Sequence, residues 1–331
     1  MRFSVRFNND LPVSAYPRLA QAAEAAGFDQ FWVSDDLFLR SAWIILSAAA
    51  QATSRIQIGT CIVNPYTMHP AEMAMAAATL AELSSGRFCL GISSGAGDFL
   101  EWIGVQPTMP VASVVETAAA VRALLDGQRG AQSGRFIRGW TDDAYMRFPT
   151  PQVPIYIGAM SPNMLRAIGS VADGGLPLLF PPEHFQTVIG YVRDGAAAAG
   201  RSLDDVDVAA CVWCSIDPDR DAAEAVLRDK IAYYGHALGP LIYERLGVSR
   251  EEFEPIEAAV QRDRDLGRAR AMVTPAMLRI GLIGTGRDLI PRLEALVSMG
   301  VRHLSFGPPL GPDPERAIHV LGSEIMPHFR R

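Results

Sequence analysis

The chain predicts an α/β fold, a (β/α)8 TIM barrel with insertions, and three observations carry that prediction. Short β-branched runs alternate with amphipathic helical segments from end to end, the pattern of parallel βα units. The alternation yields about eight strands with helices between them, the number a closed barrel needs. The residues after the first strand, Asn8-Asn9-Asp10-Leu11-Pro12, contain no glycine. A doubly wound sheet, the competing reading, usually carries a Gly-rich dinucleotide turn there. The 331 residues suit one barrel of about 250 residues plus insertions, so a single domain over 1–331 is expected.

Residues 3–7 alternate as the first strand, and a helix over 14–26 ends at Gly27, a left-handed cap. A strand at 31–34 leads to a helix near 42–51. A third strand, 56–63, breaks into an Asn-Pro-Tyr-Thr loop before a helix over 71–83. The fourth, 88–93, runs into Ser-Ser-Gly-Ala-Gly at 93–97, with a helix over 111–125. Regularity stops between 127 and 151, where four glycines break a segment studded with Phe136, Trp140 and Phe148. That is too long for an ordinary βα loop, so an excursion packing over the barrel is expected. Strands resume at 155–158, 175–180 and 206–215, with helices over 162–172 and 183–199. A charged helical insertion fills about 219–272. A helix beginning at 287, a strand at 301–306 and a closing helix near 314–326 complete the pattern.

Hydrophobic residues make up 49% and charged residues 20% of the chain, with formal net charge −6. This is a globular composition. It offers no basic footprint for nucleic acid or an anionic membrane. No apolar run reaches about 18 residues, and the start, Met1-Arg2-Phe3-Ser4-Val5-Arg6-Phe7, lacks a secretory pattern. A cytoplasmic location is expected. Lys230 is the only lysine, so phosphate groups must find arginine or backbone N–H groups. Cys211-Val212-Trp213-Cys214 matches C-x-x-C, but positions three apart on a strand face opposite sides. Buried structural thiols are the expectation, and the histidines show no metal spacing.

A barrel keeps its chemistry at the C-terminal ends of its strands. That rule singles out Arg6 and Asn8, Asp35 and Asp36, Asn64 to Tyr66, Ser93 and Ser94, 158–161, Pro181, Ser215 and Gly307. Asp35 and Asp36 are adjacent and point opposite ways. One can face the mouth while the other caps a helix or pairs with an arginine such as Arg40. Gly158-Ala159-Met160-Ser161-Pro162 ends a strand and opens a helix, with Ser161 at the N-cap and Pro162 at the first helical position. Helix N-termini approached by small residues bind anions, which makes this turn the best phosphate cradle. Gly281-Leu282-Ile283-Gly284-Thr285-Gly286 resembles a phosphate loop more weakly, and 285–288 reads better as a helix start.

The segment Ile56-Gln57-Ile58-Gly59-Thr60-Cys61-Ile62-Val63-Asn64-Pro65-Tyr66-Thr67 carries a family resemblance. With Trp32-Val33-Ser34-Asp35 and Gly86-Arg87-Phe88-Cys89-Leu90-Gly91, it resembles the bacterial-luciferase-like superfamily. Within it, the chain is most similar to the coenzyme F420-dependent methylenetetrahydromethanopterin reductases. Pro154-Ile155-Tyr156-Ile157-Gly158-Ala159, Val273-Thr274-Pro275-Ala276-Met277 and Gly307-Pro308-Pro309-Leu310-Gly311-Pro312 continue the likeness in colinear order.

The resemblance implies a TIM barrel holding a deazaflavin or flavin ring at the strand ends. It implies a non-proline cis peptide in strand 3, here Cys61–Ile62. The cofactor would be held by Cys61, Ile62, Asn64, Ser93, Ser94, Gly158, Ala159, Met160 and Ser161, and the chemistry would fall to Arg6, Asp35, Asp36 and Tyr66. Three positions depart from the reductase pattern: Arg6 and Ala96 replace acidic residues, and Asp36 replaces a histidine. An added guanidinium favours an anionic or carbonyl-bearing substrate over a cationic pterin. The expected activity is F420-dependent hydride transfer to a small organic molecule. The alternatives are an FMN-dependent monooxygenase and a non-catalytic ligand-binding barrel; a homodimer is the family expectation.

Overall fold

The computed structural model describes residues 1–130 and 134–330. β1 (Arg2–Phe7), α1 (Ala15–Ala26), β2 (Gln30–Val33), α2 (Ala42–Ala52), β3 (Gln57–Thr60), α3 (Pro70–Leu83) and β4 (Phe88–Ile92) alternate strictly. α4 (Gly97–Trp102) and α5 (Pro110–Leu125) follow, then β5 (Ile155–Ala159), α6 (Pro162–Val171), β6 (Gly174–Pro177) and α7 (Phe185–Ala198). β7 (Asp207–Ile216) opens into α8 (Arg220–Tyr234), α9 (Pro240–Leu246), α10 (Arg250–Gln261), α11 (Leu266–Met272) and α12 (Pro275–Leu278). β8 (Gly281–Gly284), α13 (Gly286–Ser298), β9 (His303–Leu310), α14 (Pro314–Val320) and α15 (Met326–Phe329) end the chain.

The strands run in the order β6-β5-β4-β3-β2-β1-β9-β7-β8, with β6 also paired to β7. Eight of them therefore return on themselves as a closed parallel barrel, the predicted fold. β8 is a ninth strand that lies against the end of β7, Trp213 opposite Gly281 and Ile216 opposite Gly284. The glycine-rich stretch at 281–286 is thus strand and helix start, not a phosphate loop. Asp288 accepts from the Thr285 N–H at 2.8 Å, so the chain's own carboxylate fills the anion position at that helix start.

Two compact units share the chain. One comprises Ser4–Pro177 and Val188–Ala209; the other comprises Met1–Phe3, Leu178–Thr187 and Ala210–Arg331. The first holds β2 to β6 and most of β1. Its interior is filled from the N-terminal end by a polar and aromatic floor. Gln30 donates to Gln57 and to the Tyr156 hydroxyl, both at 3.0 Å, and Tyr156 donates to Asp207 at 2.8 Å. The Trp32 ring meets Tyr156 edge-on, centroids 5.0 Å apart. Glycine is required beside these rings: a Cβ on Gly59 would lie 2.3 Å from Trp32, and one on Gly174 2.1 Å from Tyr156.

Glu24 ties α1 to the entry of β3 by accepting from the backbone N–H groups of Ser54, Arg55 and Ile56 at 3.0, 2.6 and 2.8 Å. Burial pushes its carboxyl up, but the three N–H groups outweigh burial and hold it below the ordinary range. A carboxyl depressed by folding stabilises above its unfolded pKa, and that stability is lost as pH falls through the folded value. The melting temperature is expected to drop as pH falls below 4.5, the ordinary glutamate value. Glu24→Gln should flatten that part of a thermal-melt series; an unchanged slope would remove Glu24 from the acid response.

The second unit packs Phe180, Trp213, Leu227, Ile231, Phe253 and Met277 into one apolar core. Lys230 lies with its ammonium 3.8 Å from the Tyr234 ring centroid. The only lysine therefore sits on aromatic rings. Cys211 and Cys214 are buried within β7 and form no disulfide, in keeping with the expectation of buried structural thiols.

Candidate active site

The sequence-predicted residues Arg6, Asp35, Asp36, Cys61, Ile62, Asn64, Tyr66, Ser93, Ser94 and 158–161 all fall in the first unit. Regular pairing of β3 stops at Thr60, and the Cys61–Ile62 bond is cis. The chain then touches β4 once more, at Val63 opposite Ile92. Ile62 is directed at Gly158: a Cβ there would lie 2.9 Å from Ile62 Cγ2 and 3.3 Å from Ser93 Cβ. The Ser93 hydroxyl donates to the Gly158 carbonyl at 2.8 Å. Strand ends β3, β4 and β5 thus converge at one backbone cradle that only glycine leaves open.

Beyond the cradle, Ser161 stands at the N-cap of α6, but its hydroxyl makes no capping bond. This corrects the expectation of a side-chain cap. Met160 and Ser161 are exposed. The first-turn N–H groups of a helix have no partner within it, so at α6 they remain available to an acceptor from outside. Asn64 is buried and folded back on its own loop, accepting from the Tyr66 and Thr67 N–H groups at 3.1 Å each. Tyr66 donates to the Thr108 carbonyl at 2.7 Å and accepts from Ser113 at 3.0 Å. Its ring meets Phe136 edge-on at 5.7 Å.

That last contact brings in the excursion. Residues 131–133 of the predicted 127–151 segment lie outside the described residues. Glu116 of α5 accepts from the N–H groups of Arg135, Phe136 and Ile137 at 3.0, 2.8 and 2.9 Å. Trp140 stacks on His69, centroids 5.7 Å apart. The excursion therefore packs on the loop after β3.

The two aspartates diverge. Asp35 accepts from the Ala42 N–H at 2.9 Å at the start of α2, and burial raises its pKa. Asp36 accepts from the Ser34 hydroxyl at 3.3 Å. Arg40 donates to the Asp10 carbonyl at 2.5 Å. Arg6 pairs in register with Trp32, and Trp32 with Gly59. Paired residues on parallel strands share a face, so Arg6 lies inside the barrel on Trp32's level. It is 5% exposed.

Sequence reasoning missed Asn9. It is fully buried and holds the loop after β2 from both sides. Its amide nitrogen donates to the Asp36 and Arg40 carbonyls at 3.0 and 2.6 Å, and its oxygen accepts from the Ser34 hydroxyl at 3.0 Å. The available signal was an asparagine just past a strand end, where an amide can serve backbone donors and acceptors together. Asn9→Ala is expected to cost about 1–3 kcal/mol, because several buried groups lose partners. Urea denaturation measures this; a loss too small to resolve would show that the loop is held elsewhere.

Among the described residues, no cluster of His, Cys, Asp or Glu is arranged to hold a metal ion, and no helix is long and apolar enough to cross a membrane. Residues 3–303 match the family model described as luciferase-like monooxygenase. A 5,10-methylenetetrahydromethanopterin reductase of Methanolobus tindarius is 32% identical over 98% of this chain and 100% of its own. An F420-dependent glucose-6-phosphate dehydrogenase of Nakamurella multipartita is 30% identical over 94% of this chain and 91% of its own. The solved structure of the coenzyme F420-dependent tetrahydromethanopterin reductase from Methanopyrus kandleri superposes with a TM-score of 0.91, at 30% identity, covering 99% of both chains.

Proposed function

The chain belongs to the luciferase-like monooxygenase family, and from that membership we propose an oxidoreductase that uses coenzyme F420 to transfer a hydride to or from a small organic substrate. The observation that carries the cofactor assignment is the cradle at Gly158. Ile62, Ser93 and Gly158 meet where a Cβ would close the gap, which fits a flat ring laid against backbone. The adjoining turn at 158–161, with its uncapped helix start, fits the phosphate of the same cofactor.

When bound, the deazaflavin supplies the hydride at its C5 carbon. The residues of this chain hold and orient it. Ile62 and Ser93 support the ring face, the α6 N–H groups receive the phosphate, and Asn64 fixes the loop that borders the cradle. Arg6, in this reading, meets the carbonyl or anionic group of the substrate. Asp36 and Tyr66 border the substrate, and Asp35 fixes the loop that bears Asp36.

In this proposal the enzyme is a homodimer in the cytoplasm; the exposed apolar side chains Ile44 of α2 and Met75 and Leu83 of α3 support the subunit contact. Parallel titrations with F420 and FMN test the cofactor assignment. Saturable F420 binding at least tenfold tighter than FMN is expected. Preferential FMN binding would turn the assignment to the monooxygenase reading.

A further inference from the structure

We propose that Glu116 is a positioning residue: it clamps the excursion onto α5 and through it fixes the loop after β3. The inference rests on the oxidoreductase reading above, in which that loop borders the F420 ring. Glu116 stands two turns into α5 and accepts from three successive backbone N–H groups, those of Arg135, Phe136 and Ile137, at 3.0, 2.8 and 2.9 Å. The turn it grips is tight. The Gly134 N–H donates to the Ile137 carbonyl at 2.8 Å, and a Cβ on Gly134 would overlap the Glu116 carboxylate. Burial pushes the carboxyl up, but the three N–H groups and the Arg135 charge outweigh burial and hold it below the ordinary range. At neutral pH the clamp is therefore a carboxylate.

Contacts run unbroken from Glu116 to the cradle. The gripped turn sets Phe136 edge-on against Tyr66, ring centroids 5.7 Å apart. The Tyr66 hydroxyl accepts from Ser113 of the same helix at 3.0 Å, three residues before Glu116. So α5 holds the Tyr66 hydroxyl directly and its ring through the excursion. The Tyr66 N–H donates to Asn64 at 3.1 Å. The preceding residue, Val63, accepts from the Ser93 N–H at 3.0 Å, and the Ser93 hydroxyl donates to the Gly158 carbonyl at 2.8 Å. Farther along the same loop, the Trp140 ring stacks on His69, so the excursion grips both Tyr66 and His69.

Glu24 supplies the matched comparison. It grips three successive N–H groups in the same manner, those of Ser54, Arg55 and Ile56. Those residues enter β3 at the opposite end of the strand from the cis bond. Neutralising either carboxylate costs the fold a similar set of bonds, so the two losses are alike in stability. They differ in what the gripped segment touches. Only the Glu116 turn reaches the loop that borders the cradle.

The test combines F420 titration with backbone amide exchange, both on the full chain. Glu116→Gln keeps the size but turns an NH2 group toward N–H donors. It is expected to weaken F420 binding at least fivefold. In the free protein it should speed amide exchange at least tenfold over 134–140 and over 64–69. Gly134→Ala, which displaces the carboxylate without removing it, should reproduce both effects. Phe136→Ala should weaken F420 binding as Glu116→Gln does, and the double variant should stay within twofold of either, because both act through one contact. Glu24→Gln should lower the melting temperature by as much, yet leave F420 affinity within twofold. Unchanged exchange over 64–69 in folded Glu116→Gln and Gly134→Ala overturns the inference. So does an equal loss of F420 affinity in Glu24→Gln, because the effect would then be one of stability alone. Losses that add in the double variant overturn it as well, since Glu116 would act by a route other than Phe136. If the unmodified chain fails to bind F420 while exchange over 64–69 still answers to Glu116, the oxidoreductase reading fails and the clamp on the loop stands.

Discussion

Replacing Gly158 by leucine is expected to weaken F420 binding at least fiftyfold, about 2.4 kcal/mol at 1.4 kcal/mol per tenfold, with a much smaller change in folding stability. A single Cβ already approaches Ile62 Cγ2 to 2.9 Å and Ser93 Cβ to 3.3 Å. A leucine side chain must therefore project into the space left for the ring or push Ile62 aside. Gly158→Ala provides the graded control: Ile62 need shift only a few tenths of an ångström, and about a tenfold loss is expected. Against the strain in the folded chain, the change from glycine restricts the unfolded chain by about 0.4–1 kcal/mol. Fluorescence titration with F420 and a thermal melt on each variant separate the two effects. Undiminished affinity in a folded Gly158→Leu protein would take the β5 turn out of the cofactor site.

The barrel was legible because its strands announce themselves by composition. Phe3 to Phe7 alternates, and Phe88-Cys89-Leu90-Gly91-Ile92 is apolar throughout, as strands buried on both faces must be. Boundaries were less legible where backbone geometry overrides composition. The β-branched run 56–63 looks like one strand, yet regular pairing ends at Thr60, before the cis bond at Cys61–Ile62. Likewise Gly281-Leu282-Ile283-Gly284 has too few residues to declare itself a strand; it becomes one only because β7 is long enough to offer a partner for it.

In the candidate site, position along the chain was easier to read than partnership. The rule that chemistry gathers at strand ends picked out Ser93, Gly158 and Asn64 without any contact information. It did not reveal that Ser93 bonds to the Gly158 carbonyl, or that Ser161 leaves its helix uncapped. Both depend on side-chain rotamers set by neighbours distant in sequence. Asn9 shows the same limit. Its role rests on bonds to residues 34, 36 and 40, and nothing local marks it apart from Asn8.

Arg6→Glu is expected to lower kcat/KM for a carbonyl acceptor between tenfold and about a hundredfold, while F420 affinity stays within a few-fold. A charge-assisted hydrogen bond contributes about 1.5–3 kcal/mol, which sets that range. Arg6 lies on the level of Trp32 and Gly59, and Cys61 stands two residues further along the chain from Gly59. A guanidinium on this level can reach upward to an acceptor under the ring, whereas a carboxylate there repels the carbonyl oxygen as it gains negative charge. Burial makes the change hazardous, because reversing a charge that is 5% exposed can cost several kcal/mol of stability. Arg6→Lys keeps the charge and loses the planar fork. It is expected to retain fold and F420 binding, yet to lose activity mainly through kcat, since a mobile ammonium fixes the carbonyl less well than a bidentate donor. If Arg6 only braces the barrel, Arg6→Lys should leave kcat unchanged once folded, and activity across variants should track melting temperature. Efficient turnover of methylenetetrahydromethanopterin by the unmodified chain would count against the substrate argument as a whole, because a cationic pterin intermediate would then tolerate a guanidinium in place of an acidic residue.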